Sequence, residues 1–444
     1  MVTSISTEGA AGEQRSLGLW MCVALVVGNI IGISVFLLPA SLAPFGFNAL
    51  TGWLVTLAGC LVLAGVFAAL SRRFPEADGP FSYIRGVLGE TAAFVAGWCY
   101  WVSCWCGNAV LAIGVVGYLK AAIPALGILP DWLLALTLLW TCVAINALGL
   151  RSGGRVQMAT TVLKLLPMAA IILLGVWILV SAPVTFGRHL PATPLSLTGT
   201  MMAATLTLAA MLGIECATIP AGRVRDPART VPLATMVGVT VSAVIYIAVS
   251  TIPMLLTPQA ELAHESAPFV DLLNRLAVAG SGRWLALFVV ISGLGCLNGW
   301  TLITGEMTRT MAAAGTLPSP LARANRWDAP GVALVVTGAF GSVLVAMSFS
   351  HSLVQAFTFM INVVTAASLP LYLLCAVSLA ALGLGARKRG SRRIIALGLA
   401  GAAYCIFVFV GVGWEPFVWA LGLAAAGLPV LALERLGRRR TAAA

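Results

Sequence analysis

Twelve apolar runs, most of them near the roughly 20 residues that a helix needs to cross a hydrocarbon core, take up almost the whole chain. Their approximate extents are 18–43, 48–71, 91–122, 131–150, 157–181, 197–221, 231–256, 283–311, 330–349, 353–382, 392–412 and 415–434. In lipid a segment of this kind must satisfy its own backbone polar groups, which leaves the α-helix as its conformation. Composition agrees: 60% of the 444 residues are hydrophobic and 9% are charged, too apolar for a soluble globule. The expected fold is an all-α integral membrane bundle of about 12 transmembrane helices, with the lipid bilayer as its solvent.

The first run is too long for a signal peptide and lacks a basic start and a small-residue cleavage site, so it is read as span one. Of the 26 lysines and arginines, all but Lys120, Lys164, Arg188, Arg275 and Arg283 fall on the side of the membrane that carries both termini. The positive-inside rule makes that side cytoplasmic and predicts a multi-pass protein of the cell inner or plasma membrane. The same asymmetry accounts for the net charge of +11 without nucleic acid as a partner. The 10 cysteines lie within spans, and His189, His264 and His351 are scattered in outer loops. No disulfide, metal site or cofactor is expected from that distribution.

Two stretches read almost alike, Ile31 to Ala40 in the first run and Leu212 to Ala221 in the sixth, with Gly, Ile, Pro and Ala in register. Paired, glycine-broken spans in corresponding halves point to the central site of a secondary transporter. The match predicts a five-plus-five inverted repeat, with spans one and six broken and spans eleven and twelve outside the pseudo-symmetry. Residues 1–16 are then a cytoplasmic tail, 17–382 the transport core, and 383–444 two additional spans with a basic tail. Irregular backbone at that depth is tolerated where it lines a cavity, so the peptide groups from Gly28 to Ser34 and from Met211 to Glu215 are expected to face a substrate. The alternative is that Gly32 and Gly213 merely allow close helix packing. Residues 72–90 read as an inner connector with a short amphipathic helix, and 258–281 as an outer connector of the same kind.

The stretch from Gly28 to Ala40 resembles the first-span motif of the amino acid, polyamine and organocation transporter superfamily, and within it the bacterial arginine/agmatine antiporter branch. Tyr100 to Asn108, Gly213-Ile214-Glu215, Asp226-Pro227, Val231-Pro232 and Gly299 to Leu302 carry the likeness onward to the end of span ten. The resemblance implies a LeuT-like fold and a secondary carrier of amino acids or amines that works by alternating access, as exchanger or proton-coupled carrier. It also implies a homodimer, which nothing in the sequence itself requires. Amides opening the second half of span one, at Gly32, Ile33 and Ser34, suit a substrate carboxylate. Carbonyls at Met211 and Leu212 suit an ammonium group, and Asn29 flanks the same break. By resemblance Ser103, Cys104, Asn108 and Trp300 line the distal pocket. Ala209 stands where the resembled antiporter has a tryptophan over the cationic head, and Ile33 and Ser34 stand where it has Ser and Gly. Strict arginine selectivity is therefore not expected, and a roomier, less cation-selective pocket is.

Two ionisable groups lie deep in the hydrocarbon, Lys164 in span five and Glu215 in span six, and such residues are functional by default. Lys164 resembles the span-five lysine of proton-coupled amino acid permeases and of heteromeric exchanger light chains, whose ammonium replaces a sodium ion. Two roles stand open for it, proton carrier or permanent latch on carbonyls of the span-one break. Glu215 is expected to accept from groups beside its own break or to titrate with pH. An enzyme is not expected, since no nucleophile-base pair, paired carboxylates or phosphate-cradling loop appears. A strict arginine/agmatine antiporter and a neutral amino acid exporter remain as alternatives within the carrier class.

Overall fold

The computed structural model describes residues 18–74, 80–149, 153–217, 226–276, 281–347, 352–385, 391–430 and 432, and every regular element among them is a helix. Span one is two helices, Leu19–Ile30 and Ser34–Leu42, followed by span two, Asn48–Arg73, and span three, Glu90–Ala122. Asp131–Ala147 and Gly153–Ser181 are spans four and five, and Leu197–Ala210 is the first half of span six. Spans seven to twelve are Pro227–Leu256, Ser281–Ala313, Gly331–Met347, Leu353–Gly385, Ser391–Gly411 and Trp414–Ala425. Seven of these helices are singly long and apolar enough to cross a membrane, and the bent pair of span one adds another. Spans four, six, nine and twelve are apolar but shorter. The expected termini, 1–16 and the basic tail beyond 432, lie outside the described residues.

The neighbours of each span display the inverted repeat. Span two packs on seven, three on eight and four on nine, and a shift of five returns each of these pairs to itself. The same shift exchanges one-on-seven with two-on-six, three-on-ten with five-on-eight, and four-on-eight with three-on-nine. Five spans are an odd number, so the second half enters the membrane from the opposite side to the first.

Both expected connector helices are present. Pro80–Leu88 buries Tyr83 and Ile84 against spans three and ten, on the side of the bundle where Gly18 lies. At the other end, Gln259–Leu262 and Pro268–Arg275 cover the bundle, and the Phe269 ring meets Phe36 edge-on with centroids 5.9 Å apart. Arg275 holds this connector through ion pairs with Asp271, at 2.5 Å, and Glu261.

Span eleven reaches the core through glycine. A Cβ on Gly398 would sit 2.6 Å from the backbone nitrogen of Ala380 and 2.7 Å from the carbonyl oxygen of Ala376 in span ten. Small residues are what let membrane helices approach so closely, and here even a methyl group meets backbone that cannot rotate away. Gly398→Ala is expected to destabilise the protein by about 1–3 kcal/mol, the usual overpacking cost. Thermal unfolding in detergent checks this against Gly422→Ala, where the added methyl would meet nothing within 4 Å.

Candidate functional site

Span one stops at Ile30 because Ile31 turns to an extended conformation, with φ −77° and ψ 99°, and the helix restarts at Ser34 with a bend of 47°. Carbonyls released by the break would be costly in hydrocarbon without donors. Two are taken by side chains from other spans. Lys164 Nζ donates to the carbonyl of Gly28, and Tyr246 Oη of span seven donates to that of Ile30 at 3.0 Å. Lys164 is 2% exposed and stands behind the break, away from the cavity described next. On the far side of the break, Phe36 N–H donates to the Ile33 carbonyl at 3.0 Å, while the Ser34 and Val35 amides ahead of it have no acceptor within their own helix.

Span six breaks by a different route. Its last turn tightens, with Met211 N–H donating to the Leu208 carbonyl at 2.8 Å and Leu212 N–H to that of Ala209 at 3.4 Å. Gly213 then takes φ +110°, a conformation that side chains with a Cβ rarely adopt, and a short 3-10 turn follows over Ile214–Ala217. A Cβ at Gly213 would lie 3.4 Å from the backbone carbon of Asn29 and 3.5 Å from the nitrogen of Ile30, so the two breaks touch each other here.

Beside that contact lies a cavity with about 620 Å³ of space, its open mouth included. Asn29, Gly32 and Ser34 reach it from span one, Ala209, Ala210 and Leu212 from span six, and Cys296 and Trp300 from span eight. Span three supplies Tyr100, Ser103, Cys104, Gly107, Val110 and Leu111, and span ten supplies Ile361, Val364 and Ser368. Eight of the expected substrate residues are thus brought together: Asn29, Gly32, Ser34, Ser103, Cys104, Ala209, Leu212 and Trp300. The other three stand off the wall. The side chains of Ile33 and Met211 are buried in packing, and Asn108 donates to Thr304 Oγ1 at 3.2 Å while its Oδ1 has no partner among the described residues.

Glu215 follows the span-six break and stands behind the cavity wall, reaching it through Tyr100, which lines the cavity. Its carboxylate is 1% exposed and accepts from two phenols, Tyr100 Oη at Oε1 and Tyr372 Oη at Oε2, the latter at 2.7 Å. Three spans, three, six and ten, are thereby tied together through one side chain. The sequence reading passed over Tyr372, Cys296 and the span-ten wall. A tyrosine in mid-span requires a partner for its hydroxyl, and that requirement was the available signal for Tyr372. Nothing comparable marks Ile361, Val364 or Cys296, which look like any other apolar-span residue.

A family model described as "Amino acid permease" matches residues 17–420. The chain belongs to that family. Among this permease's relatives, a Bacillus subtilis (strain 168) protein provisionally named an arginine/ornithine antiporter is 32% identical over 94% of this chain and 97% of its own. The cadaverine/lysine antiporter of Escherichia coli (strain K12) is 29% identical over 68% of each chain, and that strain's putrescine transporter is 27% identical over 92% and 93%. Among solved structures, a substrate-bound, outward-open Na⁺-coupled sialic acid symporter shares the fold, with a TM-score of 0.57 over 90% of both chains at 11% identity.

The tie between Lys164 and Gly28 gives a direct test. Lys164→Ala is expected to abolish net uptake into proteoliposomes by leaving the Gly28 carbonyl without its donor. Uptake at the parental rate would show that the break holds its shape without the ammonium.

Proposed function

We propose that this permease carries amino acids or their decarboxylated amines across the cell membrane by alternating access, as an exchanger or proton-coupled carrier, and catalyses no reaction. The observation that carries this reading is the meeting of two helix breaks at one cavity in mid-bundle. Amides at Gly32, Ile33 and Ser34 offer donors to a carboxylate. Carbonyls at Met211 and Leu212 offer acceptors to an ammonium group, even though the Met211 and Ile33 side chains point into packing, because the backbone does the binding. Asn29 lies between the two.

The substrate's side chain then extends toward Trp300, Leu111, Ile361 and Val364, with Ser103 and Cys104 as its polar neighbours. Asn108, whose Oδ1 is unpartnered among the described residues, stands one layer behind. No Asp or Glu is among the described residues lining this wall. That supports a pocket that accepts neutral side chains as well as basic ones. The names of the relatives, all with basic or polyamine cargo, support a second reading, a strict exchanger of basic amino acids and amines. A neutral amino acid exporter is the opposite extreme, which the apolar wall favours.

Residues 17–382 form the transport core in this proposal, and 383–444 add two spans and a basic tail. Both termini are cytoplasmic by the positive-inside rule, so Tyr100, Glu215 and Tyr372 form the inner gate and the cavity empties inward when they separate. In the proton-coupled form of this reading, Lys164 and Glu215 are the coupling groups. A homodimer is the proposed assembly.

Counterflow in proteoliposomes, loaded in turn with neutral and basic amino acids and amines, tests the cargo with and without a pH gradient. Neutral amino acids are expected to compete with arginine in the parent protein. Ala209→Trp restores an aromatic face worth ~0.5–2 kcal/mol to a cation, an expected shift of about two- to thirtyfold toward arginine or agmatine. Exclusive carriage of arginine and agmatine by the parent would establish the second reading instead.

A further inference from the structure

A second cavity, with about 990 Å³ of space, its open mouth included, lies between spans nine, ten and twelve, and span ten walls both cavities, with Met360 and Val363 on this one and Ile361 and Val364 on the central one. Its wall is made by Leu344 and Met347 of span nine, by Phe359, Met360 and Val363 of span ten, and by Trp419 and Leu423 of span twelve. Gln355 and Glu415 complete it at one end only. Spans ten and twelve begin, and span nine ends, at the end of the bundle opposite the termini, so Gln355, Glu415 and Met347 lie toward that membrane surface and Phe359, Met360, Val363, Trp419 and Leu423 lie deeper. From Glu415 to Leu423 the groove descends about 12 Å at the helical rise. That is most of one leaflet of a hydrocarbon core roughly 30 Å thick.

The chemistry of the polar end is specific. Glu415 is exposed and has no hydrogen bond or ion pair among the described residues. Gln355 accepts the Ser352 N–H on its Oε1 at 3.3 Å, which leaves its amide N–H groups as donors. A carboxylate and an amide donor lining one apolar cavity complement a head group with one ammonium and one phosphate above an acyl chain. Trp414, 79% exposed, precedes Glu415 at the start of span twelve, the level at which interfacial aromatic residues are enriched. The floor is firm, because the Trp98 indole N–H donates to the Leu423 carbonyl at 2.9 Å and pins span twelve to span three.

We infer that this groove is a lipid site for phosphatidylethanolamine in the leaflet opposite the termini, with Glu415 accepting from the ethanolamine ammonium, Gln355 donating to the phosphate, and one acyl chain between spans ten and twelve. An anionic lipid would bring its charge against Glu415. A choline head group has no N–H to donate.

Native mass spectrometry of the full-length permease, delipidated and then given phosphatidylethanolamine, phosphatidylcholine or phosphatidylglycerol with matched acyl chains, tests the assignment. Retention of phosphatidylethanolamine is expected to exceed that of either other lipid by about two- to fivefold, the ratio appropriate to a partly exposed ion pair. Glu415→Gln is expected to bring the three lipids to equal retention. Met360→Trp, which fills the slot below an intact head-group end, is expected to reduce retention of phosphatidylethanolamine to the level of the other two. Equal retention of all three lipids by the parent, or an unchanged preference in Glu415→Gln, overturns the assignment. So does a mass spectrum in which a second copy of the chain displaces lipid and Met360→Trp abolishes the dimer. Substrate counterflow is independent of these outcomes, so the transport reading and the lipid site stand or fall separately.

Discussion

A peptide group in hydrocarbon has no water to fall back on, and that single constraint organises this protein. Ten of its spans satisfy it by running as helices through the core. Spans one and six violate it, and each violation is compensated by something specific. Lys164 and Tyr246 donate to the carbonyls of Gly28 and Ile30, and Gly213 adopts a backbone conformation closed to other residues. Lys164 is thus a structural member of the break whatever else it does. An ammonium held by a peptide carbonyl stabilises irregular backbone at the depth where a buried cation would otherwise be most costly.

The second organising feature is the carboxylate of Glu215. A helix bundle that must open alternately to two sides needs contacts across its midline that can be made and released as a unit. One side chain holding two phenols ties three elements together, and in the proposed cycle it is the contact that opens. A typical hydrogen bond contributes about 0.5–1.5 kcal/mol net. Two of them suit the proposed inner gate, because substrate binding can shift an equilibrium only by its differential affinity for the two states.

Much of this was legible before any coordinates. Span positions followed from apolar runs, with ends moving by at most four residues except at span six, whose helix stops at the break after Ala210, and span twelve, whose helix ends at Ala425, because hydrophobic length is dictated largely by the bilayer. The breaks were visible because Gly32 and Gly213 recur in register, and Lys164 and Glu215 because charges are conspicuous in an apolar span. What escaped was pairing. Tyr372 lies 157 residues from Glu215, and no local pattern announces that two side chains so distant share a bond. Equally, the sequence did not separate residues whose backbone faces the cavity from those whose side chain does. Ile33 and Met211 sit at the breaks yet send their side chains into packing, and Asn108 turns aside to Thr304. Helical phase near a break drifts, so residues that share a motif need not share a face.

The most direct test of the account is an experimental structure of the permease with a transported amino acid bound. The substrate carboxylate is expected at the amides of Gly32 to Ser34, its ammonium at the carbonyls of Met211 and Leu212, and its side chain against Trp300. A substrate bound elsewhere, or a span one that runs unbroken from Leu19 to Leu42, would contradict it.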